Sequence, residues 1–379
     1  MNVSQESQEI VDRLSGKTYL SVNEKMVLLG MVKYPQLNDR QIAEKIELKL
    51  STFTAIKNRL KKNDYFQTVR IPIMKRLGSE LMFVIFSKMT TTGPDAKKDR
   101  IVGEFLRGWD DVFYAISESE HLMVLGYSKN YTDFRSRVDE MYQLFSGEGI
   151  LDKKEDLQWR LYPLEMSLFL NNFNHTRIIE DHFGVEYRPK QVGDRYDQIE
   201  SLQRHEKGVE VYKNFTSTET KVLYGLIQYP DLPDNKIAQE VGTTRQAVAR
   251  IKKKLDKKRI IQSIKIPNLK KLGFEIISFA HLKFPPDSDF DLRASALSEI
   301  IERTPIPVIF HILKDDEATF LTAHRNYEEF NTIRSLVISI YKQRDFLQEE
   351  PTIILFSNAN LNPIKFFEFG NMVRNALEN

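Results

Sequence analysis

Residues 234–258 read DNKIAQEVGTTRQAVARIKKKLDKK, and this stretch decides the fold class of the chain. A short helix that begins at Asp234 is expected to end near Gly242, because Gly242-Thr243-Thr244 is typical of a tight turn. A longer helix is then expected from about Arg245 to Lys258. Its apolar residues recur at helical spacing and form one buried stripe, made of Val248, Ile251 and Leu255. Two helices joined by such a turn predict a helix-turn-helix.

The segments on either side complete this unit. Before it, Thr216 or Ser217 can cap a helix whose apolar residues extend to Ile227, and Pro230 ends that helix. After it, Ile260–Ile266 has the composition of a strand and is closed by a proline. Three helices followed by a strand predict a winged helix-turn-helix.

The chain contains this unit twice. Residues 20–81 align with residues 215–276 at a constant offset of 195 and without a gap. Tyr34-Pro35, for example, recurs as Tyr229-Pro230. Weaker similarity continues beyond this segment, so we interpret the chain as a tandem duplication of two long repeats.

Each winged helix-turn-helix is followed by segments in the order β-α-β-β-α-β, which predicts a ferredoxin-like domain. In the first repeat these segments are Leu81–Phe86, Lys97–Arg107, Val112–Ser117, His121–Tyr127, Tyr131–Phe145 and Leu157–Tyr162. In the second they are Ile276–Lys283, Leu292–Arg303, Val308–Leu313, Ala318–Ala323, Tyr327–Tyr341 and Thr352–Phe356. The predicted fold class is α+β, with two copies of a winged helix-turn-helix followed by a ferredoxin-like βαββαβ domain.

These patterns predict four domains and one linker. The winged helix-turn-helix domains are expected at residues 1–80 and 215–275, and the ferredoxin-like domains at residues 81–184 and 276–379. The polar and charged residues 185–214 are expected to form the linker between the two repeats.

Basic residues concentrate in both winged units. Residues 237–271 hold eleven basic and two acidic residues and residues 42–76 hold nine and three, although the whole chain carries only +2. Such local asymmetry predicts a nucleic-acid site. The predicted DNA contacts of the second repeat are Thr243, Thr244, Arg245, Gln246, Arg250, Lys253, Lys254 and Lys257. Those of the first repeat are Lys49, Ser51, Thr54, Lys57, Asn58, Arg59 and Lys62.

The two sets differ in charge. In the second repeat Gln246 and Arg250 suit base edges in a major groove, and Arg245 and Lys254 suit phosphates. The outward face of the first repeat is polar but far less basic. We therefore expect the second repeat to dominate DNA affinity.

A winged helix-turn-helix followed by a βαββαβ domain resembles the Lrp/AsnC (feast/famine) family of prokaryotic transcription regulators. The segments that carry the resemblance are Gln41–Ile46, Asn58–Lys61, Lys236–Gly242 and Ala247–Lys252. The resemblance implies sequence-specific binding of double-stranded DNA. It also implies that the βαββαβ domains, called RAM-type in this family, pair and can bind a small-molecule effector. Two copies in one chain would then form an intramolecular pseudo-dimer, and whole chains can assemble into a homo-oligomer.

The chain departs from this family in three features. Members usually carry one copy, whereas this chain carries two. The family's glycine-rich effector loop is not evident at Gly126–Lys129 or Ala323–Asn326, which leaves the effector unknown. The stretches Glu165–Gly184 and Asn358–Asn379 extend beyond the family's usual end and are expected to form helices.

Motifs for catalysis are not found. The chain has no cysteine, which excludes disulfides and thiolate sites, and its seven histidines show neither HExxH nor a paired metal spacing. We therefore expect no enzyme, no catalytic residues, no cofactor and no metal. Two alternatives stay open. One is an enzyme similar to siroheme decarboxylases, which resemble the same fold but carry a Trp-Pro-Tyr-Asn motif that has no counterpart here. The other is a winged-helix module that binds a protein.

The cellular location of the protein is predicted from its N-terminal residues and from the length of its apolar segments. Met1–Gly16 is polar and lacks the apolar core of a signal peptide. No window approaches 18 uninterrupted apolar residues, so no membrane span is expected. The expectation is a cytoplasmic protein without a membrane partner.

Overall fold

The structure is a computed structural model that describes residues 20–90, 95–184, 211–212, 214–287, 289, 292–293 and 306–378. The predicted linker at 185–214 and the predicted helix Leu292–Arg303 lie mostly outside these residues. The N-terminal segment Met1–Gly16 lies entirely outside them. No helix among the described residues is both long and apolar enough to cross a lipid bilayer.

The element order of the first repeat begins with three helices. They are α1 (Val22–Lys33), α2 (Asp39–Lys45) and α3 (Leu50–Lys62), followed by strand β1 (Phe66–Pro72). The ferredoxin-like elements are β2 (Leu81–Lys88), α4 (Asp95–Gly108), β3 (Val112–Glu118), β4 (His121–Ser128), α5 (Tyr131–Gly147) and β5 (Leu157–Pro163). A tail of this repeat adds β6 (Leu168–Asn172) and α6 (Thr176–Phe183).

The second repeat has the same order among its described residues. Its winged helix-turn-helix consists of α7 (Ser217–Gln228), α8 (Asp234–Val241), α9 (Arg245–Lys257) and β7 (Ile261–Pro267). The ferredoxin-like part contains β8 (Ile276–Lys283), β9 (Val308–Leu313), β10 (Glu317–His324), α10 (Tyr327–Gln343) and β11 (Thr352–Ser357). Its tail adds β12 (Asn362–Phe366) and α11 (Gly370–Glu378). The predicted α+β fold class, with winged helices and ferredoxin-like sheets, is confirmed.

The repeats are not the compact units of the structure. One unit holds the described residues of Met1–Thr68, Phe169–Arg195 and Ser263–Ala359. It therefore combines the winged helices and tail of the first repeat with the sheet of the second. The other unit holds Val69–Leu168 and the described residues of Tyr196–Gln262 and Asn360–Asn379, which is the reverse combination. We call them the first and second unit.

Each unit contains one five-stranded sheet that the tail of the other repeat completes. The order is β11-β8-β10-β9-β6 in the first unit and β12-β3-β4-β2-β5 in the second. Strand β12 runs antiparallel to β3, with Asn362 opposite Ser117 and Phe366 opposite Tyr114. Each predicted tail helix is thus preceded by a strand that we did not expect from the sequence.

Buried polar and aromatic contacts hold the tail of the second unit. The buried Lys365 donates hydrogen bonds to the backbone oxygens of Trp109 (2.8 Å) and Val112 (3.1 Å). Its pKa is lowered by burial. Phe369 is almost fully buried and stacks on Phe113 with ring centroids 4.7 Å apart. These contacts bind the tail to the turn that enters β3.

The tail of the first unit joins its sheet to its winged helices. The side-chain amide of Asn171 donates to the backbone oxygen of Val308 at 2.8 Å, and Phe173 stacks on Phe310 at 5.0 Å. Helix α6 then meets α1, where Lys33 and Glu180 form a salt bridge of 2.6 Å. The tail therefore links the sheet to the first helix of the winged helix-turn-helix.

The docking of α11 can be tested with a matched pair of phenylalanines. Phe369→Ala removes a ring that is 1% exposed, so we expect the free energy of unfolding to fall by about 3 kcal/mol. Phe366, on the same tail, is 41% exposed, and Phe366→Ala should cost less than about 1 kcal/mol. Urea denaturation followed by tryptophan fluorescence measures both changes. Equal losses for the two variants would show that the tail is not held by Phe369.

Candidate nucleic-acid interface and ligand pocket

Helix α9 has one buried and one exposed face. Val248, Ile251 and Leu255 are buried, as the sequence predicts. Thr244 caps the helix, since its hydroxyl accepts a hydrogen bond from the backbone N–H of Ala247 at 3.2 Å. The turn before it contains Gly242 at φ +67°, a left-handed conformation that glycine adopts without strain.

The exposed face of α9 carries cations that the rest of the described chain does not neutralise. Gln246, Arg250, Lys253 and Lys257 follow one another at i, i+4, i+7 and i+11, and all four are exposed. None of them forms a salt bridge with a described residue. The same holds for Arg245 in the first turn. No described residue therefore compensates the charge of this stripe.

The predicted contact Lys254 has a structural partner instead. Its amino group donates a short hydrogen bond to Glu219 on α7, and it lies over the ring of Tyr212. Burial opposes ionisation of Glu219, but the hydrogen bonds from Lys254 and from the backbone of Thr216 outweigh it and lower the pKa of Glu219. Lys254 therefore fixes α9 against α7.

The first repeat contains the same contact between its third and first helices at the offset of 195. We call this contact the first clamp. Arg59 on α3 donates to Glu24 on α1 at 2.8 Å. Glu24 also accepts from the backbone N–H of its N-cap, Ser21, at 2.9 Å, as Glu219 does from Thr216. An acid in the first turn of the first helix thus caps that helix and anchors the third helix in both repeats.

A second clamp is also repeated. Lys57 on α3 contacts Asp39 on α2 at 2.8 Å, and Lys252 on α9 contacts Asp234 on α8 at 3.4 Å. Two of the predicted contacts of the first repeat, Lys57 and Arg59, are therefore ion-paired within their own fold.

The remaining predicted residues of the first repeat form a weakly charged face. Ser51 and Asn58 are exposed and Thr54 is half-buried. Lys49 and Lys62 are exposed and have no salt bridge to a described residue. The face of α3 therefore offers two uncompensated cations, whereas the helix α9 offers four.

A pocket that we did not predict lies in the first unit, between α10 and the sheet. It encloses about 80 Å³. The residues that line it are mainly apolar and are Ser278, Ala280, Leu282, Ile306, Val308, Phe320, Thr322, His324, Phe330, Ile333, Arg334, Val337, Ile338, Pro351 and Ile353.

Small residues on β8 create this pocket. At the offset of 195, Ser278 and Ala280 occupy the positions of Phe83 and Ile85 on β2. In the second unit Phe83 is fully buried and stacks on Trp109 at 5.1 Å. The alignment of the two repeats could therefore have predicted the pocket, because small residues in place of large ones at two core positions predict a cavity.

A reciprocal change occurs on the neighbouring strand. Gly126 is paired with Phe83, and a Cβ atom at Gly126 would lie 2.1 Å from Cζ of that ring. The equivalent pair in the first unit is Thr322 with Ser278. Removal of the phenylalanine therefore allows a polar, branched side chain beside the pocket.

Two charged or titratable side chains reach the pocket. His324 is 1% exposed, and its Nε2 lies 2.7 Å from Oγ1 of Thr322. Its Nδ1 is buried and has no hydrogen-bond partner among the described residues. Arg334 is exposed at the mouth and makes neither a hydrogen bond nor a salt bridge with a described residue.

A different polar pair is buried on the opposite face of the same sheet. Nε2 of His281 lies 2.8 Å from Oε2 of Glu317, and both side chains are almost fully buried. Lys314 also contacts Glu317 at 3.0 Å. No group of three or more histidine or acidic side chains that could hold a metal occurs among the described residues.

No family model matches the chain, and no curated protein matches it. Among solved structures, the chain is similar to the siroheme decarboxylase NirDL, with 11% identity over 94% of this chain and 98% of that chain and a TM-score of 0.50. It is also similar to a transcriptional regulator from Neisseria meningitidis in complex with L-Met, with 17% identity over 38% of this chain and 90% of that chain and a TM-score of 0.32. An AsnC family transcriptional regulator from Agrobacterium tumefaciens has 12% identity over 38% of this chain and 90% of that chain, with a TM-score of 0.31.

The similarity to NirDL shows a shared fold along nearly the whole chain. It contradicts our expectation that the chain is not an enzyme, because the shared fold is that of a decarboxylase. The missing motifs were no ground for excluding catalysis, since a fold does not by itself determine function. The Lrp/AsnC-like fold is supported, whereas the tandem duplication stays a prediction.

Buried histidines make the first unit sensitive to acid. Burial lowers the pKa of His175, His182 and His324 to about 4 and that of His311 to about 3. In an unfolded chain each would titrate near 6.5. Below that pH the unfolded state therefore binds more protons than the folded state, so the free energy of unfolding falls as the pH drops from 6.5 toward 4.

His311→Leu should reduce this acid-induced loss of unfolding free energy. His311 is fully buried and neither ring nitrogen has a hydrogen-bond partner among the described residues. Its removal should lower the slope of unfolding free energy against pH by up to one proton, or ~1.4 kcal/mol per pH unit. Urea denaturation followed by circular dichroism between pH 7 and pH 4 measures the slope.

Tryptophan fluorescence supplies the internal control. Both Trp109 and Trp159 belong to the second unit, where burial and then the neighbouring Asp110 and Asp133 raise the pKa of Asp111 to about 6. A carboxyl with a raised pKa stabilises the folded state in acid and loses this effect as the pH rises. The fluorescence transition should therefore shift less than the circular dichroism transition. An unchanged slope in His311→Leu would contradict the assignment.

Proposed function

We propose that the chain is a sequence-specific transcription regulator that binds double-stranded DNA through the exposed face of α9. One observation carries this proposal: the helix has four cations that are exposed and form no salt bridge with a described residue, and they lie beside the exposed Gln246. The four are Arg245, Arg250, Lys253 and Lys257. A helix with this face fits the B-DNA major groove, where it can reach base edges.

Each residue of the face has a distinct role in this proposal. Gln246 and Arg250 are proposed to contact base edges, since an amide and a guanidinium can make paired hydrogen bonds with adenine and guanine. Lys253 and Lys257 are proposed to contact phosphates on either side of the groove. Thr243 and Thr244 precede the helix N-terminus, where unpaired backbone N–H groups also attract a phosphate.

Helix α3 is proposed to bind a second, weaker half-site. Lys57 and Arg59 are held in clamps, so Ser51, Thr54 and Asn58 would provide polar contacts and Lys49 and Lys62 the charge. Unequal recognition helices would favour an asymmetric operator. Pairing of the two βαββαβ domains and assembly of whole chains stay predictions.

The proposal is tested with a duplex obtained by selection from random DNA. Arg250→Ala should weaken binding to that duplex by roughly five- to 150-fold, because a paired contact to a base is worth about 1–3 kcal/mol. Lys253→Ala should weaken binding to all duplexes alike and reduce the slope of log affinity against log salt by about 1. Fluorescence anisotropy across salt concentrations measures both effects.

Lys129→Ala is the matched control, because it removes one exposed positive charge from the turn between β4 and α5. It should change affinity little. Asn58→Ala should cost less than Arg250→Ala. If all four variants bind alike, or if wild-type protein binds no duplex, α9 is not a DNA-reading helix and a protein partner becomes the alternative.

A second candidate is a tetrapyrrole-modifying enzyme, and the full-length similarity to a siroheme decarboxylase favours it. The described pocket does not fit such a substrate as it stands. It encloses about 80 Å³, whereas drug-sized ligands already occupy pockets of about 300–1,000 Å³. A tetrapyrrole would require that α10 move away from the sheet.

The second candidate predicts a spectroscopic change. Addition of siroheme to the full chain should shift the tetrapyrrole absorption band, and product masses should fall by the mass of carbon dioxide. Ala280→Ile should reduce both effects by narrowing the pocket, whereas Arg250→Ala should leave them unchanged. Neither a shift nor a mass change in wild-type protein would remove this candidate.

A further inference from the structure

The pocket under α10 has the properties of a small ligand site. Its walls include Ala280, Phe320 and Ile353 from three strands, and its roof includes Val337 and Ile338. A water molecule needs about 10–15 Å³ of such space, so about 80 Å³ holds a compact group of several atoms. The walls favour an aliphatic group in that space, because transfer of apolar surface from water is favourable.

The helix above the pocket is incompletely covered. Ile333, Val337 and Ile338 of α10 are only half-buried. In the second unit the equivalent helix α5 buries Val138 and Met141 completely against its sheet. The apolar stripe of α10 therefore has unfilled space against the sheet in the described structure.

Polar groups stand at two points of this apolar space. The buried Nδ1 of His324 has no partner among the described residues, and an unpaired buried nitrogen costs free energy that a ligand atom would recover. Arg334 lies at the mouth without a salt bridge to a described residue. A guanidinium at this place suits a carboxylate, with which it can form two parallel hydrogen bonds.

The charge of the lining also restricts the ligand. The described residues that line the pocket include no aspartate or glutamate, so none of them would compensate an ammonium group. Glu350 lies in the adjacent groove beside Arg334, but its carboxylate already pairs with Lys342 at 2.6 Å. The lining therefore favours an anion over a zwitterion.

We infer that this pocket binds a small monocarboxylate with a compact aliphatic tail and no ammonium group, its carboxylate at Arg334 and its tail among Ala280, Phe320 and Ile353. A hydroxyl beside the carboxylate pairs with Nδ1 of His324. The site is independent of the proposed DNA contacts, which lie on the other unit and on α3.

Isothermal titration of the full chain, without DNA, tests this inference with three probes that share one tail. The probes are 2-hydroxy-4-methylpentanoate, its neutral amide and L-leucine. The hydroxy acid should bind, and the amide and L-leucine should each bind at least about tenfold more weakly, because each disturbs one charge requirement. Equal binding of the hydroxy acid and L-leucine would overturn the charge argument, and no binding of the hydroxy acid would overturn the site.

Two variants separate binding from folding. Ala280→Ile introduces the side chain that Ile85 supplies in the other repeat, so it should raise the unfolding temperature and abolish binding of the hydroxy acid. Arg334→Gln should weaken binding about tenfold or more without changing the unfolding temperature. Lys129→Gln removes the same charge from an exposed turn of the other unit and should bind as wild type. Undiminished binding by Ala280→Ile, or equal losses in the two glutamine variants, would overturn the assignment.

Discussion

Strand β12 belongs to the second repeat but pairs with β3 of the first repeat. Strand β6 of the first repeat likewise pairs with β9 of the second. An edge strand exposes unpaired N–H and C=O groups, so each sheet needs a further strand, a cover or charged side chains at that edge. Here the tail of the other repeat fills the edge. The rest of each unit depends on this pairing, because the tail helix that follows also contacts the winged helices.

The tail that each unit receives from the other repeat connects its sheet to its winged helix-turn-helix. In the second unit Lys365 and Phe369 bind the tail to the turn before β3. Farther along the tail, Arg374 donates to the hydroxyl of Tyr224 on α7 at 2.8 Å. In the first unit Asn171 contacts Val308, which lines the pocket, and Glu180 contacts α1. A change at the pocket is therefore connected by direct contacts to a winged helix of the same unit.

The two repeats differ in both of their candidate sites. Both keep the clamps to the first and second helices, but the outer face of the third helix is strongly cationic only in α9. The ferredoxin-like cores differ as well. The second unit is filled by Phe83, Trp109 and Phe134, whereas in the first unit Ser278 and Thr322 leave a pocket. The cation-rich helix and the pocket thus lie in different units, although both belong to the second repeat.

The sequence by itself determined what depends on local order. Helical spacing, caps and β-forming runs predicted the winged helices and the ferredoxin-like strands within one or two residues, and α9 begins at the predicted Arg245. The exposed stripe of α9 was also predictable, because the positions on one face of a helix follow from its period. The sequence did not predict the short tail strands β6 and β12, since five residues without clear alternation of apolar and polar side chains do not indicate a strand.

Only the tertiary structure decided which residues meet across elements. The clamps of Lys57, Arg59 and Lys254 depend on acids carried by other helices, so spacing along one helix could not reveal them. The sequence of a tail does not determine which sheet it joins, because backbone pairing is the same at either sheet edge. Only side-chain packing, such as Phe369 on Phe113, distinguishes one edge from the other. The pocket likewise arises where small side chains from separate strands coincide, and volume is a property of the packed assembly rather than of any one segment.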